Sequence, residues 1–407
     1  MFAREQIEEQ EERNLASYAM KSRCSRGRKH AEKEHPYRTC FQRDRDRVIH
    51  SNAFRKLEYK TQVFVNHEGD YYRTRLTHTL EVAQISRSAA RALCLNEDLT
   101  EAIALAHDLG HTPYGHSGED ILKKLMQEYG DEHGFEHNRQ GLRIVEKLER
   151  RYPEFRGLNL TYEVREGIIK HETSYDKARV NEYEPGKSST LEAQIVNLAD
   201  EIAYSSHDLD DGLTSEYLRE EELMELNIWR NARERIGKRI PPLDKEQIKY
   251  QTVKFLINEQ VSDLIMNTYR NIEKKKIGSV EDVRSSGVLV KFSPEMEKKN
   301  GRLRRFLLDN LYNHYKVKRM VAKAERFIRE LFDTYVKNPG QLPPDVQREI
   351  KGIEKKKKDI EKERKEGKDA GLKALEDIRI ICDHIAGMTD RSVQDEYKKL
   401  FMPYEKV

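Results

Sequence analysis

Apolar residues recur along almost the whole chain at spacings of three and four, the repeat of an α-helix. Leu99, Ile103, Ala106 and Leu109 form one such stripe, and Leu191, Ile195, Leu198 and Ile202 another. The alternation of a half-buried strand is scarce, and residues 62–65 and 288–292 are the best candidates for short strands. A chain patterned this way must bury its stripes helix against helix. The expected fold class is therefore all-α, with only minor β structure.

Local signals place the helices. They are expected at 74–94, 97–110, 117–129, 136–151, 162–171, 191–208, 219–236, 245–275 and 303–337, with apolar periodicity returning at 372–385. In the first, Leu76, Leu80, Ala83 and Ala90 share one side. Asn96 reads as an N-cap, with Glu97 and Asp98 in the first turn, where carboxylates suit the helix dipole. Gly110 is a natural stop. Pro185-Gly186, Pro241-Pro242 and Pro343-Pro344 mark breaks.

At 407 residues the chain could hold two or three modules or one continuous helical body. Its charged share, 36%, is well above the roughly 25% typical of globular chains, and its net charge is only +3. Between 351 and 369 fifteen of nineteen residues are charged, which predicts a solvent-exposed helix or a mobile insertion; acids nearly balance bases there, so a nucleic-acid patch is disfavoured. Arg23, Arg26, Arg28, Lys29, Arg38, Arg43, Arg45, Arg47, Arg55, Lys56 and Lys60 form a basic N-terminal region. It suits the phosphates of a nucleotide or of DNA, or else a salt-bridged surface, because Asp44, Asp46 and Glu58 interleave with it. Four widely spaced cysteines without a CxxC pattern exclude a disulfide framework and fit a reducing cytoplasm. No apolar run approaches the roughly 20 residues of a membrane span, and the first residues are acidic and polar, unlike a signal peptide. A cytoplasmic protein without a membrane partner is expected.

Eight of the fourteen histidines fall between His78 and His207. The densest run is His107-Asp-Leu-Gly-His-Thr-Pro-Tyr-Gly-His116, at a helix end and the turn after it. Adjacent His107 and Asp108 can offer one metal ion a nitrogen and an oxygen together. Arg75 and His78 lie three apart on the preceding helix. In the 191–208 helix, at about 100° per residue, Asn197, Asp200, Tyr204, His207, Asp208 and Asp211 lie opposite the apolar stripe. Taken alone, that polar face would be a solvated surface.

The order His78, His107-Asp108, Asp200 resembles the H…HD…D signature of the HD-domain phosphohydrolases. Longer strings narrow the resemblance: Pro36-Tyr-Arg-Thr, Gln42-Arg-Asp-Arg-Asp-Arg-Val-Ile-His50, Phe54-Arg-Lys-Leu-Glu-Tyr-Lys-Thr-Gln-Val-Phe64, Arg73-Thr-Arg-Leu-Thr-His-Thr-Leu80, His107 to Glu119, and Ala199-Asp-Glu-Ile-Ala-Tyr-Ser-Ser-His-Asp208. Together they are similar to the bacterial deoxyguanosine triphosphate triphosphohydrolases (dGTPases) and their dGTPase-like relatives. The likeness runs from about residue 23 to 211 and returns at Ala386-Gly-Met-Thr-Asp-Arg391.

The resemblance implies a nearly all-helical enzyme that cleaves a dNTP at the α-phosphorus into deoxynucleoside and inorganic triphosphate. It implies a basic N-terminal region (1–60) packed on an HD catalytic core (61–215), followed by a C-terminal helical region (216–407). His78, His107, Asp108 and Asp200 would hold one divalent metal. That donor set suits Mn2+ first, then Co2+, Ni2+, Fe2+ or Zn2+, while Mg2+ prefers all-oxygen ligands. His116, oriented by Glu119, would handle a proton at the attacking water or at the 5′-oxygen. Arg75, His111 and His137 would contact the triphosphate. Tyr204 would pack under the sugar and exclude a 2′-hydroxyl, while Asp208 and Gln62 bind the 3′-hydroxyl. Relatives also imply a homo-oligomer, a tetramer or hexamer, with a dNTP or single-stranded DNA as effector. Three other readings stand beside this one: another HD hydrolase such as a 5′-nucleotidase or alarmone hydrolase, a cyclic-dinucleotide phosphodiesterase (weakened because no Gly-Tyr-Pro occurs), and a non-catalytic nucleotide- or DNA-responsive regulator.

Overall fold

The computed structural model describes residues 2–62, 73–172, 183–239, 243–361 and 370–405. Among them eighteen α-helices account for the architecture, and β structure is limited to isolated bridges such as Thr61–Thr74 and Arg28–Thr161. No helix of the described residues is long and apolar enough to cross a membrane.

The helices that frame the site begin on the caps the sequence offers. Thr74 caps Arg75–Ala92 by accepting from the Thr77 N–H, Asn96 caps Glu97–Ala106, and Thr190 caps Leu191–Thr214. Leu191–Thr214 runs through the middle of the body and is buried over nearly its whole length. Its polar face is not a solvated surface: Asp200, Tyr204, His207, Asp208 and Asp211 are all buried.

Several boundaries differ from the sequence expectation. Of the stripe Leu76, Leu80, Ala83 and Ala90, Ala83 and Ala90 are buried and Leu76 packs against the core, whereas Leu80 is 51% exposed; Arg75, His78, Thr79, Val82 and Ser86 are buried as well. The inward face of that helix thus carries polar groups beside its apolar ones. Residues 303–337 are not one helix. Pro294–Leu307 ends in a π turn, Leu308–Tyr312, before Tyr315–Lys337 begins. Likewise 219–236 divides into Glu220–Leu223 and Asn227–Arg239. Residues 288–292 are not a strand. Their backbone groups are met by side chains instead: Gln194 accepts from the Leu289 N–H at 2.8 Å, and Asn271 donates to the Leu289 carbonyl at 2.8 Å. Of the other strand candidate, 63–65 lie outside the described residues, as do Pro241, Pro242 and, in the charged stretch, 362–369. The remainder of that stretch up to residue 361 belongs to the helix Pro344–Glu361.

Two apolar clusters form the interior. The larger holds Leu99, Ile103, Ile195, Ile202 and Trp229, and the smaller joins Ile121, Leu122 and Leu125 to Phe327, Leu331 and Ile381. The helix His116–Glu128 therefore leans on C-terminal helices, and the site opens where the two clusters meet.

Candidate functional site

Three elements converge on one point. His78 comes from Arg75–Ala92, Asp200 from Leu191–Thr214, and His107 with Asp108 from a 3₁₀ turn, His107–Gly110, that tightens the end of Glu97–Ala106. Gly110 ends that turn because nothing larger fits. A Cβ there would stand 1.9 Å from the His137 carbonyl oxygen, so the glycine lets the His137–Arg143 helix close on the turn.

His78 Nε2 lies 2.9 Å from Asp200 Oδ1 and 3.8 Å from Asp108 Oδ2. His107 Nε2 lies 3.4 Å from Asp108 Oδ1 and 3.9 Å from Asp200 Oδ1. His78, His107 and Asp108 can together offer ligand atoms to one metal ion, and so can His107, His171 and Asp200. Protonation fits this use. His107 Nδ1 is 2.6 Å from the Ala104 carbonyl, which can only accept, so Nδ1 carries the hydrogen and Nε2 is bare. That bare nitrogen is buried with no hydrogen-bond partner. A buried lone pair between two carboxylates is costly unless a cation meets it. Burial opposes ionisation of Asp108, yet His107, Arg75 and His111 hold its carboxyl well below the usual range. Asp200 is likewise held down, against burial, by hydrogen bonds with His171 and His78.

Beside this group lies a cluster of imidazoles. Arg75 Nη1 and His111 Nε2 each reach Asp108 at 3.1 Å, and the His111 ring stacks on His137 with centroids 4.2 Å apart. Burial, with the charge of Arg75, keeps His111 well below the ordinary histidine range and hence neutral. His116 projects from the first residue of its helix with 59% of its side chain exposed. Glu119 lies 3.7 Å from His116 Nδ1 but 3.0 Å from His137 Nδ1, and it also accepts from the His137 backbone N–H at 2.9 Å. Its tighter partner is therefore His137, whose helix starts next to it, rather than the expected His116.

A single cavity of about 660 Å³ takes in all of these groups except the recessed His107, together with Gln62, Tyr204, Asp208 and Tyr312. Asp208 is buried, accepts a hydrogen bond from the Tyr312 hydroxyl, and is pushed up to about 7, first of all by its burial. The far wall is apolar: Leu308, Val317, Met320, Val321 and Ala324.

The chain matches the HD domain model over residues 75–205 and the phosphohydrolase-associated domain model over 290–399. Three relatives carry the name deoxyguanosinetriphosphate triphosphohydrolase-like protein. That of Geobacter sulfurreducens is 50% identical over the whole of both chains, that of Geobacter metallireducens 49% over 98% of each, and that of Bordetella pertussis 47% over 95% of this chain and 96% of its own. The chain belongs to the HD-domain, dGTPase-like family. A phosphohydrolase carrying a group able to hold a divalent metal is thus the common ground of family and geometry.

Against that family background, some neighbours of the site had no assigned part in the sequence reading. His171, just past Tyr162–Ile169, contacts the second oxygen of Asp200 at 3.2 Å. His207 and Glu81 stand behind His78, and Tyr312 meets Asp208 from the C-terminal half. The density of histidines between 78 and 207 was a signal for His171 and His207; Tyr312 offered none. Several of the N-terminal arginines are paired with carboxylates: Arg28 with Asp44, Arg47 with Glu32 at 2.7 Å, and Arg45 with Asp98 at 2.8 Å.

Proposed function

We propose that this chain is a divalent-metal-dependent triphosphohydrolase acting on a 2′-deoxynucleoside triphosphate, dGTP or another, and releasing the deoxynucleoside and inorganic triphosphate. The observation that carries the reading is the shared cavity. The His78, Asp108 and Asp200 group, the phosphate-suited Arg75, His111 and His137, and the hydroxyl-binding set of Gln62, Tyr204 and Asp208 all line it.

Two imidazoles and two carboxylates suit manganese better than magnesium, with cobalt, nickel, iron and zinc compatible with the same donors. A divalent cation, when bound, supplies Lewis-acid polarisation of the phosphoryl group. The chain's own residues do the rest. Arg75, locked against Asp108, presents guanidinium donors to phosphate oxygens, and His111 stands beside it with its Nε2–H given to Asp108. His116, exposed to the cavity, moves the proton at the reacting end as the P–O5′ bond breaks and water adds to phosphorus. Asp208 and Gln62 take the 3′-hydroxyl, and the Tyr204 ring fills the space a 2′-hydroxyl would need, which favours deoxyribose.

A product-resolved assay of the four dNTPs and four NTPs with manganese, magnesium and cobalt tests this. Inorganic triphosphate appearing in step with free deoxynucleoside is the expected result. Release of orthophosphate or pyrophosphate without triphosphate would overturn it.

A further inference from the structure

The motif Ala386-Gly-Met-Thr-Asp-Arg391 lies far in sequence from every group in the cavity. It nevertheless reaches both segments that flank the catalytic turn. Asp390, at the start of the helix Asp390–Phe401, is 4% exposed. Its Oδ2 accepts from the Thr61 N–H at 2.9 Å and its Oδ1 from the Tyr114 N–H at 2.9 Å, while the Tyr114 hydroxyl donates to the Asp390 carbonyl at 3.1 Å. Lys60 adds a parallel tie, donating to the carbonyls of His111 and Ala386.

The segments so joined are under constraint. Tyr114 has φ 60°, a left-handed conformation that a bulky residue adopts only when its surroundings enforce it. Gly115 follows with φ 59°, and a Cβ there would touch Arg75 Nη2 at 3.0 Å. His116 is the next residue, and Gln62 is the residue after Thr61. We infer that Asp390 is a positioning residue: its two carboxylate oxygens clasp the Thr61 and Tyr114 amides and so fix His116 and Gln62 relative to each other across the cavity. It contacts none of His78, His107, Asp108 and Asp200, so its effect is separable from metal binding.

The roles of His116 and Gln62 rest on the proposed function, whereas the clasp itself does not. Asp390→Asn keeps the shape but turns an NH2 group toward one of the two amides, leaving that donor unmet. Tyr114→Phe removes only the hydroxyl tie and serves as a milder second variant. Hydrogen exchange read by mass spectrometry, titration with manganese alone, and steady-state kinetics are measured on each full-length chain. In Asp390→Asn, exchange over 60–62 and 111–116 is expected to rise about tenfold or more, as for loss of a hydrogen bond to a charged acceptor. Exchange in Arg75–Ala92 and Leu191–Thr214 should be unchanged, manganese affinity should stay within about twofold, and kcat should fall more than manganese affinity. Tyr114→Phe should show the same pattern at smaller amplitude. Unchanged exchange at 60–62 and 111–116 in both variants overturns the clasp, as does an equal rise across all helices. A wild-type chain that binds manganese and shows the exchange pattern but no triphosphate release sinks the proposed function and leaves the clasp standing.

Discussion

His78 Nδ1 lies 3.3 Å from His207 Nδ1, and the far nitrogen of His207 meets the Glu81 carboxylate. Burial opposes ionisation of Glu81, but His207 and Arg73 bring its carboxyl down to about 2, so it can only accept. Burial lowers His207 to about 4, so its ring is neutral at pH 7. With Nε2–H given to Glu81, its Nδ1 is free to accept from His78 Nδ1–H. That contact holds the His78 ring so that its Nε2 faces Asp200 Oδ1 at 2.9 Å.

The first prediction follows from this chain of protons. His207→Leu and Glu81→Ala should each weaken manganese binding by about 10- to 100-fold, read by calorimetric titration. Wild-type affinity in both variants would remove the relay.

Metal binding should also stabilise the fold, since its ligands come from separate helices. At a manganese concentration about 100 times Kd, the gain is about 2.7 kcal/mol, seen as a higher Tm. Asp200→Asn should abolish that shift. A full shift in the variant would mean the cation binds elsewhere.

His116→Ala separates proton transfer from metal holding. The manganese-dependent Tm shift should persist, while kcat falls by about 10²- to 10⁴-fold. Loss of the shift would place His116 among the ligands instead.

Asp208 gives a pH signature. Its folded carboxyl titrates near 7, above the ordinary value, so the folded state holds the proton more tightly than the unfolded one. The stabilisation is complete below the ordinary carboxyl range and is lost as pH rises through about 7. Asp208→Asn removes the titration. In denaturant unfolding, its stability relative to wild type should rise between pH 5 and 7 and level off above, by a few kcal/mol at most on the order of the shift. A difference independent of pH would contradict this.

The sequence by itself determined the helical architecture, because periodicity and caps are local, and its resemblance to the HD-domain family singled out His78, His107, Asp108 and Asp200 as candidates. Periodicity also told which side of 191–208 is polar, but not whether that side meets water. Only the tertiary structure decided that, by burying Asp200, Tyr204, His207, Asp208 and Asp211 in the packed body. The same holds for Glu119, which sits three residues from His116 yet turns to His137. It holds too for Gly110, whose small size serves the approach of a distant helix rather than a chain reversal. His207 behind His78, Tyr312 on Asp208 and Asp390 on Thr61 and Tyr114 join residues at least a hundred positions apart. Such contacts depend on how helices cross, which is fixed by the shape of the whole core and not by any local run of residues.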